Sequence, residues 1–168
     1  MTMLFHGSNM EIQHPIVQRN AIASDFGVGF YLTSNEVQAG IWAKEVTEKK
    51  GWGIPTVNVF SFDDEKISTL NCRFFQHADE EWLNFIELNR KRMADTVEHD
   101  LVIGPCAKVH KVKLIDEYIQ GDYGEEVVLA ELGQDALTDQ FAFLNQTALQ
   151  FLIFVESKKV SLQQVSER

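Results

Sequence analysis

Cysteine, proline and positive charge are all scarce in this chain. Its 168 residues include 2 cysteines and 3 prolines. Cys72 and Cys106 are too few and too far apart for a disulfide framework, and they read as small buried hydrophobes. Only 15 Lys and Arg stand against 25 Asp and Glu, a formal net charge of −10. That balance repels a polyanion and argues against broad nucleic-acid affinity. Two local basic groups, Arg90, Lys91 and Arg92, and Lys108, His110, Lys111 and Lys113, read as solvated helix faces. No apolar run approaches the roughly 18 residues of a membrane span. The opening "MTMLFHGSNMEIQHP" has neither the basic start nor the apolar stretch of a secretory signal. The expectation is a cytoplasmic protein with no membrane partner.

Chemical signatures are missing as well. There is no GxSxG elbow, P-loop or GxGxxG fingerprint, and no internal repeat or linker. His6, His14, His77, His99 and His110 stand at no recognised metal spacing, so no metal is expected. Nothing beside Cys72 or Cys106 marks either as a nucleophile.

What remains is ordinary globular material, 45% apolar and 24% charged, enough for one domain over residues 1–168. "MLFHGS" and "GFYL" read as short strands. "TSNEVQAGIWAKEVTEKK" reads as a helix, with a capping box from Thr33 to Glu36 and an apolar stripe of Val37, Ile41, Trp42 and Val46. "TVNVFSFD" alternates as a strand. "DEEWLNFIELNRKRM" is a helix that Asp79 caps, and "DLVIGP" is a buried strand. "KVKLIDEYIQG" and "EEVVLAELG" are helices, each stopped by glycine. "DQFAFLN" is a strand, and "TALQFLIFVESKKV" is a helical turn leading into the last one. Strands at both ends and mixed order suit an α+β domain with a mostly antiparallel or split sheet.

Aromatic and polar side chains gather where the backbone is permissive. Gly7 follows His6 and lets a ligand approach the main chain. Tyr31 follows the "GVGF" of "DFGVGFYLT", and Trp42 lies on the next helix. The two rings could face each other across a slot that suits a flat cationic ring, or both could be core; spacing alone favours core. His6 alone reads more readily as a hydrogen-bonded structural histidine than as a catalytic one.

"LFHGS", "FGVGFYLT" and "DQFAFLN", in this order, resemble the three signature segments of the ADP-ribosyltransferase fold in its His-Tyr-Glu branch, the branch of diphtheria toxin and the poly-ADP-ribose polymerases. The longer pattern, running through "QA", "WA", "NFIELNR" and "GP", is similar to a group of small bacterial proteins of uncharacterised function assigned to that fold. The resemblance covers nearly the whole chain. It implies an α+β fold with an ADP-ribosyltransferase-like split antiparallel β-sheet and flanking helices. It also implies NAD as the substrate, without a metal. His6 would bond a ribose of NAD, and the Gly7 backbone would hold the nicotinamide carboxamide. Tyr31 and Trp42 would stack on either side of the nicotinamide. Arg19 is a candidate for the pyrophosphate, with a surface ion pair as the equal alternative. Asp25 reads as a cap of its turn.

This sequence departs from the family at two positions. Gln140 stands where the family has its glutamate, and Ala39 where a serine often bonds the carboxamide, a role Gln38 or the backbone could take over. Glutamine keeps an acceptor oxygen but loses the charge that stabilises a ribose becoming cationic, a loss of about 10²–10³ in rate. Asp139 is a poor replacement, since neighbouring strand residues face opposite ways. The resemblance therefore implies a mono-ADP-ribosyltransferase, in the setting of a bacterial toxin or effector with a small neutralising partner. The acidic balance favours a protein or small-molecule acceptor over nucleic acid. The alternative is a catalytically silent module that binds NAD, ADP-ribose or a protein.

Overall fold

The computed structural model describes residues 1–18, 24–91, 99–107 and 109–161. Seven strands form two sheets flanked by helices, as expected for an α+β chain with a split, mostly antiparallel sheet. The first sheet has the order β1 (Thr2–Ser8), β3 (Thr56–Phe62), β7 (Leu152–Lys159), all antiparallel. The second has the order β2 (Phe30–Leu32), β6 (Thr138–Phe143), β5 (Leu101–Cys106), β4 (Cys72–Phe74). Only β4 and β5 run parallel. Among the described residues the edges of the two sheets are joined through the main chain by Phe5 and Thr33, which exchange hydrogen bonds of 2.8 and 3.0 Å.

Strand alternation builds the core in layers. Leu4, Phe60, Phe62 and Leu152 of the first sheet meet Phe30, Leu32, Leu101, Ile103 and Phe143 of the second. The Phe62 and Phe143 rings meet edge to face at 5.4 Å, and burying each ring is worth about 1.5–3 kcal/mol. The far face of the second sheet, with Val102 and Ala142, packs on Trp82, Leu83 and Ile86 of α2 (Glu80–Arg90), Ile115 of α3 (Val109–Gln120), and Val128 and Leu132 of α4 (Glu125–Leu132). A short α5 (Gln146–Leu149) turns the chain into β7, as the sequence suggests. A 3-10 helix (Asp64–Thr69) and β4 carry no signal that the sequence reading picked up. Among the described residues no helix is long and apolar enough to cross a membrane.

The helix α1 (Glu36–Lys50) departs from expectation twice. Its cap is Asn35, whose side chain accepts from Gln38 N at 3.0 Å. Thr33 is instead the last residue to bond β1, and its hydroxyl donates to Asp139 and accepts from Asn35 N. The buried face is Gln38, Ala39, Gly40 and Ala43, whereas Val37 is 58% exposed. The reason is the distance to β1. A Cβ added at Gly7 would lie 2.2 Å from Ala39 O and 2.6 Å from Ala43 N. At that approach only small helix residues fit, and a stripe of large side chains would hold the layers apart.

Gly7→Ala must therefore push helix and strand apart, and it is expected to destabilise by about 1–3 kcal/mol in urea unfolding. Gly40 has nothing nearer its missing Cβ than Val160 at 3.8 Å. Gly40→Ala is expected to stabilise by about 0.5–1 kcal/mol. Equal effects at the two sites would refute the packing account.

Candidate functional site

Beyond the Phe5–Thr33 bridge the two sheets part, and a cavity of about 680 Å³ opens between them. β1 contributes His6 and Gly7, β2 contributes Tyr31, and α1 contributes Trp42. Gln140 of β6 lies at the back, with Asp25, Arg90 and Cys106 beside it, and Glu45 and Asp116 complete an acidic wall. Five of the six residues picked out from the sequence thus line one space. The sixth, Arg19, lies outside the described residues.

His6 is the more constrained wall. Its ring stacks on Phe30 at 4.0 Å, and Nδ1 lies 2.6 Å from Tyr31 O. A carbonyl only accepts, so Nδ1 carries the proton in the neutral ring and Nε2 is left as an acceptor. Burial lowers the His6 pKa from 6.5 to about 4, against the raising effect of the Tyr31 carbonyl and with a small further push from Lys50. His6 is therefore uncharged at neutral pH.

The Gly7 main chain faces the opening for a reason of strand geometry. Phe5 commits its N–H and C=O to Thr33. Hydrogen-bond direction alternates along a strand, so Gly7, two residues on, turns its own pair the same way, off the β1–β3 ladder. The missing Gly7 side chain faces α1. The glycine is thus required by helix packing, and ligand access to its backbone follows from the split of the sheets.

Tyr31 carries a second, structural duty. Its hydroxyl donates to Gly27 O at 2.6 Å and accepts from Phe26 N at 2.9 Å. Burial raises its pKa, so the phenol stays protonated. Ser24 and Gly27 close the same turn through the main chain, with Gly27 at φ 104°. Gly29 is needed for another reason: a Cβ there would sit 2.9 Å from Phe143 O on β6. The run "DFGVGFY" is a turn stapled by its own tyrosine.

Behind the aromatic walls lies a buried polar network. Gln140 is 3% exposed, and its Nε2 donates to Asp25 Oδ2 at 3.2 Å and to Pro105 O at 3.1 Å. Pro105 O also accepts from Trp82 Nε1 at 2.9 Å. Asp25 is no turn cap: its Oδ1 accepts from Arg90 Nε at 3.0 Å and pairs with Arg90 Nη2. Arg90 Nη1 reaches on to Asp116. Burial opposes the Arg90 charge, but Asp25 and Asp116 outweigh it, so its pKa rises. Arg90 is thus far from a solvated charge; its side chain is 17% exposed. Lys111 is similarly inward, bonded to Glu131 at 3.2 Å. Arg92 and Lys108 lie outside the described residues.

Several remaining expectations resolve plainly. Cys106 lines the cavity, but burial and the nearby Asp25 push its pKa up to about 12, which favours the neutral thiol. Asp139 faces the opposite side of β6, tied to Thr33 Oγ1 at 3.0 Å and to Ser34 N at 2.7 Å. It is no substitute for a glutamate. Ala39 is fully buried on β1, and Gln38 turns to Thr138, away from the cavity lining. Gln38 is therefore not placed at the cavity wall. The sequence reading missed Arg90, Glu45 and Asp116, which no motif announces. Among the described residues no three His, Cys, Asp or Glu side chains gather to hold a metal ion.

Because its folded pKa is lowered, His6 binds fewer protons in the folded than in the unfolded chain between about pH 4 and 6.5. Its contribution is full above the unfolded value and is lost as the pH falls toward 4. His6→Asn keeps an N–H donor near the Nδ1 position and removes the titration. Urea unfolding at pH 7 and pH 5 is expected to show a loss about 1–2 kcal/mol smaller in this variant than in the parent. Parallel losses would contradict the neutral, buried state of His6.

No curated protein and no solved structure matches the chain. Residues 2–154 match the family model described as protein of unknown function (DUF3990), a span covering most of the sequence, and the chain belongs to that family.

Proposed function

We propose that this chain is an NAD-dependent mono-ADP-ribosyltransferase whose site is the cavity between the two sheets. The observation that carries the reading is the meeting of His6, Gly7, Tyr31, Trp42 and Gln140, from four separate elements, around one space of about 680 Å³. Such a volume lies within the range of small-molecule sites. His6 Nε2 accepts from a ribose hydroxyl. The Gly7 N–H and C=O take the carboxamide as a donor–acceptor pair. The Tyr31 and Trp42 rings offer faces to the nicotinamide, and Glu45 and Asp116 make the surroundings favourable to its positive charge. Gln140 presents its remaining amide atom, Oε1, as an acceptor for a ribose hydroxyl.

In the reaction the bond between C1′ of the ribose and the nicotinamide nitrogen breaks, and its electron pair leaves with nicotinamide. An acceptor lone pair forms the new bond to C1′, and the acceptor's proton passes to solvent or to a nearby carboxylate. Glu45 lines the cavity with its pKa raised by partial burial and by Glu48, which suits it to take that proton. The acidic lining suits a neutral or basic acceptor group. A toxin or effector setting with a neutralising partner goes with this reading.

One observation favours a second reading, a silent NAD- or ADP-ribose-binding module. Gln140 is neutral, and both its N–H groups are engaged away from the ligand. Release of free nicotinamide, followed by mass spectrometry, separates the two.

Calorimetric titration with NAD tests the site itself. Binding is expected, and Trp42→Ala should weaken it about 5- to 30-fold, the worth of one desolvated cation–π face. His6→Ala should weaken binding and abolish nicotinamide release. A folded protein that takes up no NAD at millimolar concentration would sink the proposal.

A further inference from the structure

The geometry points to Asp25 as a positioning residue that supplies, through the Gln140 amide, the negative charge that glutamine by itself lacks. This inference rests on the transferase reading. Its first support is the fixed orientation of the amide. Nε2 has two hydrogens and two partners, Asp25 Oδ2 at 3.2 Å and Pro105 O at 3.1 Å. Both partners are acceptors only, so the amide cannot be flipped without facing oxygen to oxygen. Oε1 is thereby held on the side away from Asp25.

The second support is burial. Gln140 is 3% and Asp25 7% exposed. An amide donating to a buried carboxylate is polarised along its length, and negative charge accumulates on its oxygen. Arg90 completes the arrangement. It holds the other oxygen of Asp25 and is itself shared with Asp116, so the three side chains carry a net negative charge. Carboxylate, amide and ribose would form one line, with the charge one residue behind the place where a glutamate would hold it.

The third support is exclusion. A glutamate at position 140 would put one carboxylate oxygen about where Nε2 now lies, 3.2 Å from Asp25 Oδ2. Two carboxylates at that separation do not both ionise. The introduced group would also face Pro105 O with no hydrogen to donate. With Asp25 in place, glutamine is the residue whose hydrogen bonds are satisfied.

The test compares four proteins: the parent, Gln140→Glu, Asp25→Asn and the double variant. If the charge were simply missing at Gln140, Gln140→Glu would raise nicotinamide release. We expect it to fall about 10²–10³-fold instead. This variant leaves the Arg90–Asp25 pair intact, so the result does not hang on the folding of Asp25→Asn. Asp25→Asn should reduce release by a similar factor with NAD affinity changed less than about fivefold, since the loss belongs to the reacting state. In the double variant the new asparagine donates to the introduced glutamate. Release should recover at least tenfold over either single variant, short of the parent because Pro105 O loses its donor. A gain of release in Gln140→Glu, or no recovery in the double variant when all four melt cooperatively, would overturn the inference while leaving the transferase reading standing. A parent protein that binds NAD and releases no nicotinamide overturns the reading and, with it, the role assigned to Asp25.

Discussion

Two hydrogen bonds between Phe5 and Thr33 decide the shape of this molecule. They are the only main-chain link, among the described residues, between the edge of the first sheet and the edge of the second. Leu4 of β1 and Phe30 and Leu32 of β2 meet in one shared core. Beyond the bridge the main chains are no longer paired: β1 packs on α1 while β2 stays paired with β6. The glycine at position 7 permits the packing on α1: only a residue without a side chain lets β1 come this close to the Ala39 and Ala43 backbone. The cavity is the space the parting leaves. Its walls are unlike for the same reason, with strand edge and imidazole on one side, and tyrosine and amide on the other.

That geometry has an electrostatic consequence. The parted edge needs a polar back wall, and burying polar groups there is tolerable only if each is paired. Gln140, Asp25, Arg90, Pro105 O and Trp82 Nε1 satisfy one another in a connected set. The set ties β6 to α2 and to the Ser24–Gly27 turn, which Tyr31 staples from the other side. The groups that would touch a ligand are therefore held by bonds running away from it. His6 follows the same rule: its Nδ1 proton is taken by a main-chain carbonyl, and stacking on Phe30 fixes its plane.

Much of the element plan was legible in the sequence, because strand alternation, Gly and Pro punctuation and the Asp79 cap act over a few residues. The α1 face was not. Its apolar residues Val37, Ile41, Trp42 and Val46 suggested one buried stripe, but burial follows from what comes near, and β1 comes near Ala39 and Gly40. The cap shifted from Thr33 to Asn35 because Thr33 was already engaged by β1 and Asp139. Asp25 and Arg90 are illegible for a related reason. An acidic residue in a turn and a basic one at a helix end each have an ordinary local explanation.

The sequence by itself determined the α+β class, nearly every strand and helix, and the presence of His6, Gly7, Tyr31, Trp42 and Gln140 on strands and on the helix that follows them. It also settled that Asp139 and Gln140 face opposite ways, since that is a property of any strand. Only the tertiary structure decided that those five residues share one cavity, and that the charge nearest Gln140 belongs to Asp25. Arg90 meets Asp25 across 65 residues of chain, and Asp25 meets Gln140 across 115. Contacts of that span leave no local period or spacing, because they arise from how layers pack and where two sheets part.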